Sequence, residues 1–261
     1  MSRPLKEKKF RAKMWINERI CKAVLLSIFF CQISHAQPAE AWEKIFNGKN
    51  IDGWSVVDPP VNVKVLDSSM VLHMTAHTAR HSFIRTNRKY KDFIFEVDFR
   101  RDRTIDSGIL FRSEATPDSA FSRLFGYMVK IDPSLTRMWT GGVFLDFGNG
   151  LNWLHPLQDD ARARNSEKSG GGWNRVRIEA VGNEIKVWVN GIPTSHLIDD
   201  KYQSGFIALK IHYLGGETEK EKLEIAYKNM RVISKNVKRY AREIDLPAKS
   251  TIGKNAITYF R

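Results

Sequence analysis

Between residues 173 and 199 the chain alternates. Val176, Ile178 and Ala180 are interleaved with Arg175, Arg177 and Glu179, the two-residue period of a strand with one buried face. Gly182-Asn183 reverses the direction, Ile185, Val187 and Val189 alternate on the way back, and Asn190-Gly191 turns the chain again into residues 192–198. Both dipeptides tolerate the positive φ that tight hairpins need. Three antiparallel strands with faces this distinct predict a sheet that packs on a core with one side and turns a solvated or ligand-facing surface outward.

The pattern recurs along the chain. Residues 61–66 and 70–75 flank Asp67-Ser68-Ser69 as a hairpin, and 82–85 is a short strand. In 92–100 Phe93, Phe95, Val97 and Phe99 take one face and Glu96, Asp98 and Arg100 the other. Further strands are expected at 107–113, 125–132, 141–147, 152–157, 205–213 and 223–233. Near the start, Phe46, Ile51 and Trp54 are apolar anchors between the Asn47-Gly48 and Asp52-Gly53 turns, and Pro59-Pro60 closes that unit. Residues 158–172 form a polar loop ending in Gly170-Gly171-Gly172, long enough to be a mobile rim element. No internal repeat and no sustained helical period follows the first 36 residues. About a dozen strands at spacings of roughly 8–12 residues predict an all-β sandwich or barrel. From Lys235 the alternation fades into a basic tail, expected to be a strap over one edge or poorly ordered.

Charge changes the picture only at the N-terminus. The 261 residues carry a net +13, of which the first 36 contribute +6 through eight basic residues and two glutamates. That stretch has a basic start, an apolar run at 23–31 too short to span a bilayer, and Ser34-His35-Ala36 as a small-residue cleavage site. It predicts a signal peptide at 1–36, with ordinary dimensions when read from Met14, then a sandwich domain at 37–234 and the tail at 235–261. The mature protein is expected to be secreted or periplasmic, with no integral membrane segment after cleavage. Its remaining +7 is scattered among strands rather than gathered on one helix, which argues against a nucleic-acid partner. Cys21 and Cys31 both lie in the leader. The mature chain therefore has neither a disulfide nor a thiolate, and any site must be built from His, carboxylate, Lys, Arg or Tyr.

Six segments in order and spacing resemble one family. FNGKNIDGW, DFIFEVDFR followed by SGILFRS, GYMVKID, WNRVRIEAVGNEIKVWVNG, GFIALKIHYLGG and IAYKNMRV are similar to the 3-keto-disaccharide hydrolase domain family over roughly residues 42–233. The resemblance implies a concanavalin A-like jelly roll of two curved antiparallel sheets, secreted in bacteria. It also implies a concave face that binds a glycoside or oligosaccharide, and hydrolysis of glycosides already oxidised at the sugar C3. Where the family commonly reads GYEVQ this chain has Met128 and Lys130 in place of Glu and Gln. Where it reads LQxHG the chain keeps His212 and has Lys210 for Gln, and its FRN becomes Tyr227-Lys228-Asn229.

Strand neighbours two apart point the same way, so Asp98 and Arg100, Lys130 and Asp132, and Lys210 and His212 each share a face, with Arg112 following from SGILFRS. If the strands pair as in the family, these residues converge on the sugar-binding surface. A 3-oxo group acidifies the hydrogen on C2, so cleavage can proceed by proton loss, expulsion of the C1 substituent and addition of water. Such a site needs a general base and a cation for the enolate oxygen. His212 is the first choice for the base, or a ligand if a divalent metal ion supplies the Lewis acid. Lys130, Lys210 and Arg112 are candidates to hold the enolate. Asp98, Arg100 and Asp132 are candidates for substrate hydroxyls, and Asp146 for a metal or hydroxyl. Tyr127, Trp139, Trp153 and Tyr213 are candidates to stack on sugar rings, Trp153 as a rim residue, while Trp54, Trp173 and Trp188 sit in segments expected to be core. His73, His77 and His81 recur every four residues in a segment without helical character, and are expected as loop histidines. Glu96 and Asp98 open a glucanase-like carboxylate strand, but the closing position is Arg100 or Arg101, so the second carboxyl of a retaining pair is missing. A sugar-binding module without catalysis and an adhesive envelope protein using the basic tail are the rival functions.

Overall fold

The computed structural model describes residues 41–57, 61–73, 81–115, 124–146, 151–168, 170–212, 223–253 and 257–258. Two sheets face each other. The first runs, in order across it, β16 (Lys249–Ser250), β13 (Ile192–Ile198), β12 (Glu184–Val189), β11 (Asn174–Val181), β6 (Phe93–Arg101), β15 (Glu224–Ile233), β4 (Ser69–His73) and β3 (Asn62–Leu66), with β1 (Glu43–Lys44) on β15. The second runs β17 (Ile257–Thr258), β10 (Leu151–His155), β9 (Val143–Asp146), β8 (Leu124–Ile131), β7 (Ser107–Ala115), β14 (Gly205–Ile211), β5 (Ser82–Tyr90) and β2 (Trp54–Val57). Among the described pairs only β13–β16 is parallel.

The alternation read from the chain decides which side chains meet between the sheets. Phe93, Phe95, Val97 and Phe99 of β6 are fully buried there, with Val176, Ile178 and Ala180 of β11 and Ile185, Val187 and Val189 of β12. From the other sheet come Ile109, Phe111, Val129, Val143, Leu145, Ile207 and Leu209. Each buried side chain of this size contributes about 1.5–3 kcal/mol relative to exposure. The hairpin at Asp67-Ser68 closes with both residues at positive φ (48° and 58°), the geometry that matches the twist of its strands.

Both outer faces are also partly covered. Leu157 and Ala163 pack with Leu110, Met128, Trp139, Phe144 and Trp153 on the outside of the eight-stranded sheet. The expected polar rim loop is thus anchored: Asp160 caps a one-turn helix, α1 (Ala161–Arg164), accepting from the Ala163 N–H at 2.8 Å. On the outside of the nine-stranded sheet, Val237 and Tyr240 pack with Ile94, Ile233 and Trp42. Beyond them β16 joins the edge strand β13 and β17 joins the edge strand β10, so the described part of 235–261 is a strap along one side of the sandwich. No helix among the described residues is long and apolar enough to cross a membrane.

Candidate active site

Four neighbouring strands of the eight-stranded sheet carry a line of facing residues: Phe83 opposite Lys210, Lys210 opposite Gly108, and Gly108 opposite Lys130. One residue beyond the adjoining ends of these strands stand His81, His212, Asp106 and Asp132. The His212 N–H donates to the Asp106 carbonyl at 3.1 Å, and the His81 and His212 rings lie 4.1 Å apart between centroids, tilted by 60°. Gly108 has no side chain, and Met128 lies over it: a Cβ there would come within 2.5 Å of the Met128 Sδ. The two lysines therefore flank a low, apolar floor.

Both are nearly removed from water, Lys130 at 3% and Lys210 at 4% exposure. Lys130 donates to the Asp106 carboxylate. Burial drives the Lys130 amine toward its neutral form, Asp106 opposes that, the charge of Lys210 adds to it, and the outcome lies below the ordinary lysine value. Lys210 holds its amine 5.9 Å from the Phe83 ring. Asp132 is committed. It accepts two bonds from Arg137 at 2.8 and 2.7 Å and one from the Trp139 N–H at 2.9 Å. Burial pushes its carboxyl up, but the Arg137 guanidinium and the Trp139 N–H outweigh it and hold the group below the usual range. Asp132 also borders a cavity of about 730 Å³, together with Arg101, Met138, Arg164, Glu167 and Asn174. Arg101 is fixed there by Glu167 at 2.9 Å and by the Asp132 carbonyl at 2.9 Å.

Of the residues expected in the site, Lys130, Lys210, His212 and Asp132 come together, and the others do not. Arg112 is diverted by a bulge in β7. Simple alternation places it with Gly108 and Leu110, but the register shifts between Phe111 and Glu114 and Arg112 adopts φ 46°, which turns its side chain inward. There it donates to the carbonyls of Lys91 (2.9 Å), Gly182 (2.8 Å) and Tyr202 (3.3 Å) and to Asp92 (3.3 Å), binding three turns at one end of the sandwich. Gly126 and Gly205 make room for the bulge, since a Cβ on either would fall within 2.8 Å of its backbone. Asp98 and Arg100 lie on the outer face of the opposite sheet. Asp98 is held by Arg175 (2.7 and 3.0 Å) and Asn229 (2.7 Å), and Arg100 stands 5.1 Å over Trp173.

The aromatic expectations shift too. Tyr127 is in the core, fully buried, stacked on Phe111 at 5.3 Å and donating to Asp199. Burial and Asp199 push its phenol far up, so it neither faces sugar nor ionises. Trp153 is fully buried against Trp139 (4.8 Å, 87°) and Phe144 (5.2 Å), because the segment after β10 folds back over it. It is a wall of the outer-face cluster and not a rim platform. Trp173 leaves the expected core: it is half-buried on the outer face of the nine-stranded sheet, with Lys228 at 3.9 Å from its ring. Trp188 is on that outer face as well, while Trp54 is in the core. Tyr213 and His77 lie outside the described residues, as does the side chain of Asp146, whose backbone ends β9.

Asp106 and Arg137 belong to the site without having been expected there, and His81, expected as a loop histidine, belongs to it as well. Extending the SGILFRS alternation one step back would have put Asp106 with Gly108. His81 stood in the histidine series, whose His73 falls on the other sheet near Glu224 (3.9 Å). Arg137 sits in a loop without a period. For a metal the fit is poor: among the described residues no group of three or more His, Cys, Asp or Glu is placed to hold an ion, and Asp106 already faces Lys130.

Residues 41–233 match the family described as the 3-keto-alpha-glucoside-1,2-lyase-like domain. No curated protein matches the sequence. Among solved structures, a protein from Parabacteroides distasonis provisionally described as a glycosyl hydrolase is 16% identical, with a TM-score of 0.55 over 75% of this chain and 94% of its own. A second such protein from that organism is 20% identical, with a TM-score of 0.50 over 74% and 98%. A Bacillus subtilis protein of unknown function with a galectin-like fold is 11% identical, with a TM-score of 0.50 over 74% and 94%. At these identities the likeness is one of fold, a two-sheet jelly-roll sandwich.

Proposed function

The chain belongs to the 3-keto-alpha-glucoside-1,2-lyase-like domain family, and from that membership we propose that it cleaves the glycosidic bond of sugars oxidised at C3, on the outer face of its eight-stranded sheet. The observation that carries the proposal is the convergence of Lys130, Lys210 and His212 on one face around Gly108. A ketone oxygen between the two amines would meet positive charge in a poorly hydrated space, where such charge stabilises an enolate more than it does in water. His212, partly exposed beside them, supplies an imidazole placed to take the C2 proton. The electron pair left at C2 then expels the C1 substituent, and water adds to C1 to complete hydrolysis. The cavity bordered by Asp132 falls within the usual range for small-ligand sites and offers space for the rest of the glycan. The leader composition supports action outside the cytoplasm, and sequencing the N-terminus of protein recovered from culture medium or periplasm tests that.

The central test incubates the protein with a panel of 3-keto disaccharides, with and without a chelator, beside His212→Ala. Release of the reducing sugar by wild type and its loss in the variant are expected. A second function keeps one supporting observation. Met128 occupies the floor of the face where the family commonly has Glu, which favours a sugar-binding module. Glycan binding without turnover on any member of the panel would decide for that module.

A further inference from the structure

We propose that Lys130 forms an imine with a ketone held on this face, so that the site activates its substrate covalently and not by charge alone. The inference takes the ketone from the function proposed above, and the lysine from independent features of the fold. Lys130 and Lys210 project from β8 and β14 on either side of Gly108 of the intervening β7. Both are almost wholly buried, whereas Asp106, which receives the Lys130 proton donor, keeps a quarter of its side chain exposed. The Lys210 charge in the same desolvated space disfavours the charge of Lys130. A lysine placed beside a second cation and out of water is the arrangement that turns an amine into a nucleophile toward carbonyl carbon. The lowered proton affinity of Lys130 follows from the same burial and the same neighbour. Asp106 is placed to take the proton that Lys130 gives up and to return it.

The covalent steps balance without any redox partner. The Nζ lone pair adds to C3, one Nζ proton and the proton held by Asp106 pass to the former carbonyl oxygen, and it leaves as water, giving a C3=N bond that keeps the second Nζ proton. His212 removes the C2 proton, producing an enamine. Its electron pair expels the C1 substituent, which takes a proton from the imidazolium, and a C1=C2 bond forms in conjugation with the iminium. Water adds to C1 and C2 regains a proton. Hydrolysis of C3=N then consumes the water released at the start and returns the ketone and the free amine. An iminium withdraws electrons from C2 more strongly than the neutral ketone it replaces, so the proton step becomes easier.

The test uses the purified full chain and 1,5-anhydro-3-oxoglucitol, a keto sugar with no glycosidic bond to lose, under sodium cyanoborohydride at neutral pH. Intact mass and peptide mapping are expected to show one sugar-derived adduct, on Lys130. In Lys130→Arg, which keeps the positive charge and the Asp106 contact but cannot form an imine, the adduct should fall at least about 10-fold. Cleavage of a 3-keto disaccharide should fall about 100-fold or more, the scale of losing a group in the reacting machinery. Thermal unfolding checks that the variant folds, and Lys130→Met serves if it does not. Absence of an adduct, an adduct spread over surface lysines, or full cleavage by Lys130→Arg would each overturn the imine while leaving cleavage itself standing. An adduct on Lys130 in a protein that cleaves no 3-keto disaccharide would do the reverse, retaining the imine and removing the glycosidase function.

Discussion

The two outer faces of the sandwich start from the same kind of strand and end as different chemical objects. On the nine-stranded sheet, Glu96 accepts from Arg177 (2.8 Å) and from Arg231 (2.6 Å), Glu179 pairs with Arg177 (2.6 Å), and Asp98 is gripped by Arg175. The strap closes over them: the Tyr240 carbonyl accepts from Arg177 and the Arg242 N–H donates to Glu179. Glu96, Glu179 and Asp98 each have an arginine partner, and planar guanidinium groups lock geometry. On the eight-stranded sheet one arginine fork, Arg137 on Asp132, stands at the border of the site, and the cations around Asp106 are lysines and histidines. The first face ties its buried carboxylates to arginines beneath the strap, and the second gathers compact cations around one carboxylate that is a quarter exposed. This is also why the glucanase-like carboxylates Glu96 and Asp98 are not a catalytic pair. Burial pushes both up, but their arginine partners pull both below the ordinary range, the wrong direction for a general acid.

The contrast can be broken by substitutions that separate activity from stability. The largest effect is expected from His212→Ala, with turnover of a 3-keto glycoside reduced by about 10²–10⁴-fold and an unfolding midpoint close to wild type. A variant that loses its fold along with its activity would put His212 in the structural class instead. Arg177→Met should act the other way. It strands Glu179 and half of the Glu96 pairing at 1% and 4% exposure, and removing one partner of a buried pair costs about 3–5 kcal/mol, readable by urea denaturation. Lys130→Met should cost clearly less than Arg177→Met, because the carboxylate it leaves behind, Asp106, is a quarter exposed and can turn to water, and the desolvated amine is removed.

Titration should distinguish the faces as well. The folded-state carboxyls of Glu96 and Asp98 are depressed, so as pH falls the unfolded chain binds protons first. Their stabilisation is complete above about pH 5, where unfolded carboxylates are ionised, and drains away as pH falls through roughly 4 and below. Lys130 is depressed in the folded state too, so between its folded value and about 10.4 the unfolded chain holds the extra proton and stability rises with pH. Unfolding midpoints across the pH range should therefore show an acid limb that Lys130→Met leaves intact and an alkaline limb that it flattens.

Alternation carried the architecture because burial between two sheets is a two-residue rule and the chain obeys it almost everywhere. It was enough to put Lys130 with Asp132 and Lys210 with His212. It failed at Arg112, where one bulge residue reverses the facing of everything local, and the only trace of that bulge in the chain is the pair of glycines, Gly126 and Gly205, on neighbouring strands. It also could not say which sheet a strand joins. Asp98 and Lys130 read alike along the chain, and only the pairing of β6 with β11 and β15 sends Asp98 to the far side. Arg137 and the buried state of Trp153 depend on loops folding back, which no periodicity encodes.

The smallest expected effect sharpens the comparison most. Arg175 grips Asp98 with two short bonds, as well as Arg177 grips its partners, but half of its side chain is exposed against 3% for Arg177. If fork geometry alone made the nine-stranded face rigid, Arg175→Ala would cost as much as losing Arg177. Solvent screening argues otherwise: an exposed partner loses most of its pairing energy to water, and Asp98 keeps the Asn229 amide at 2.7 Å. A loss of no more than about 1 kcal/mol is expected, with no change in turnover. A cost near that of Arg177→Met would mean that the arginine forks act as one cooperative network, with the strap as its lid. The contrast between the two faces would then lie in connectivity and not in burial.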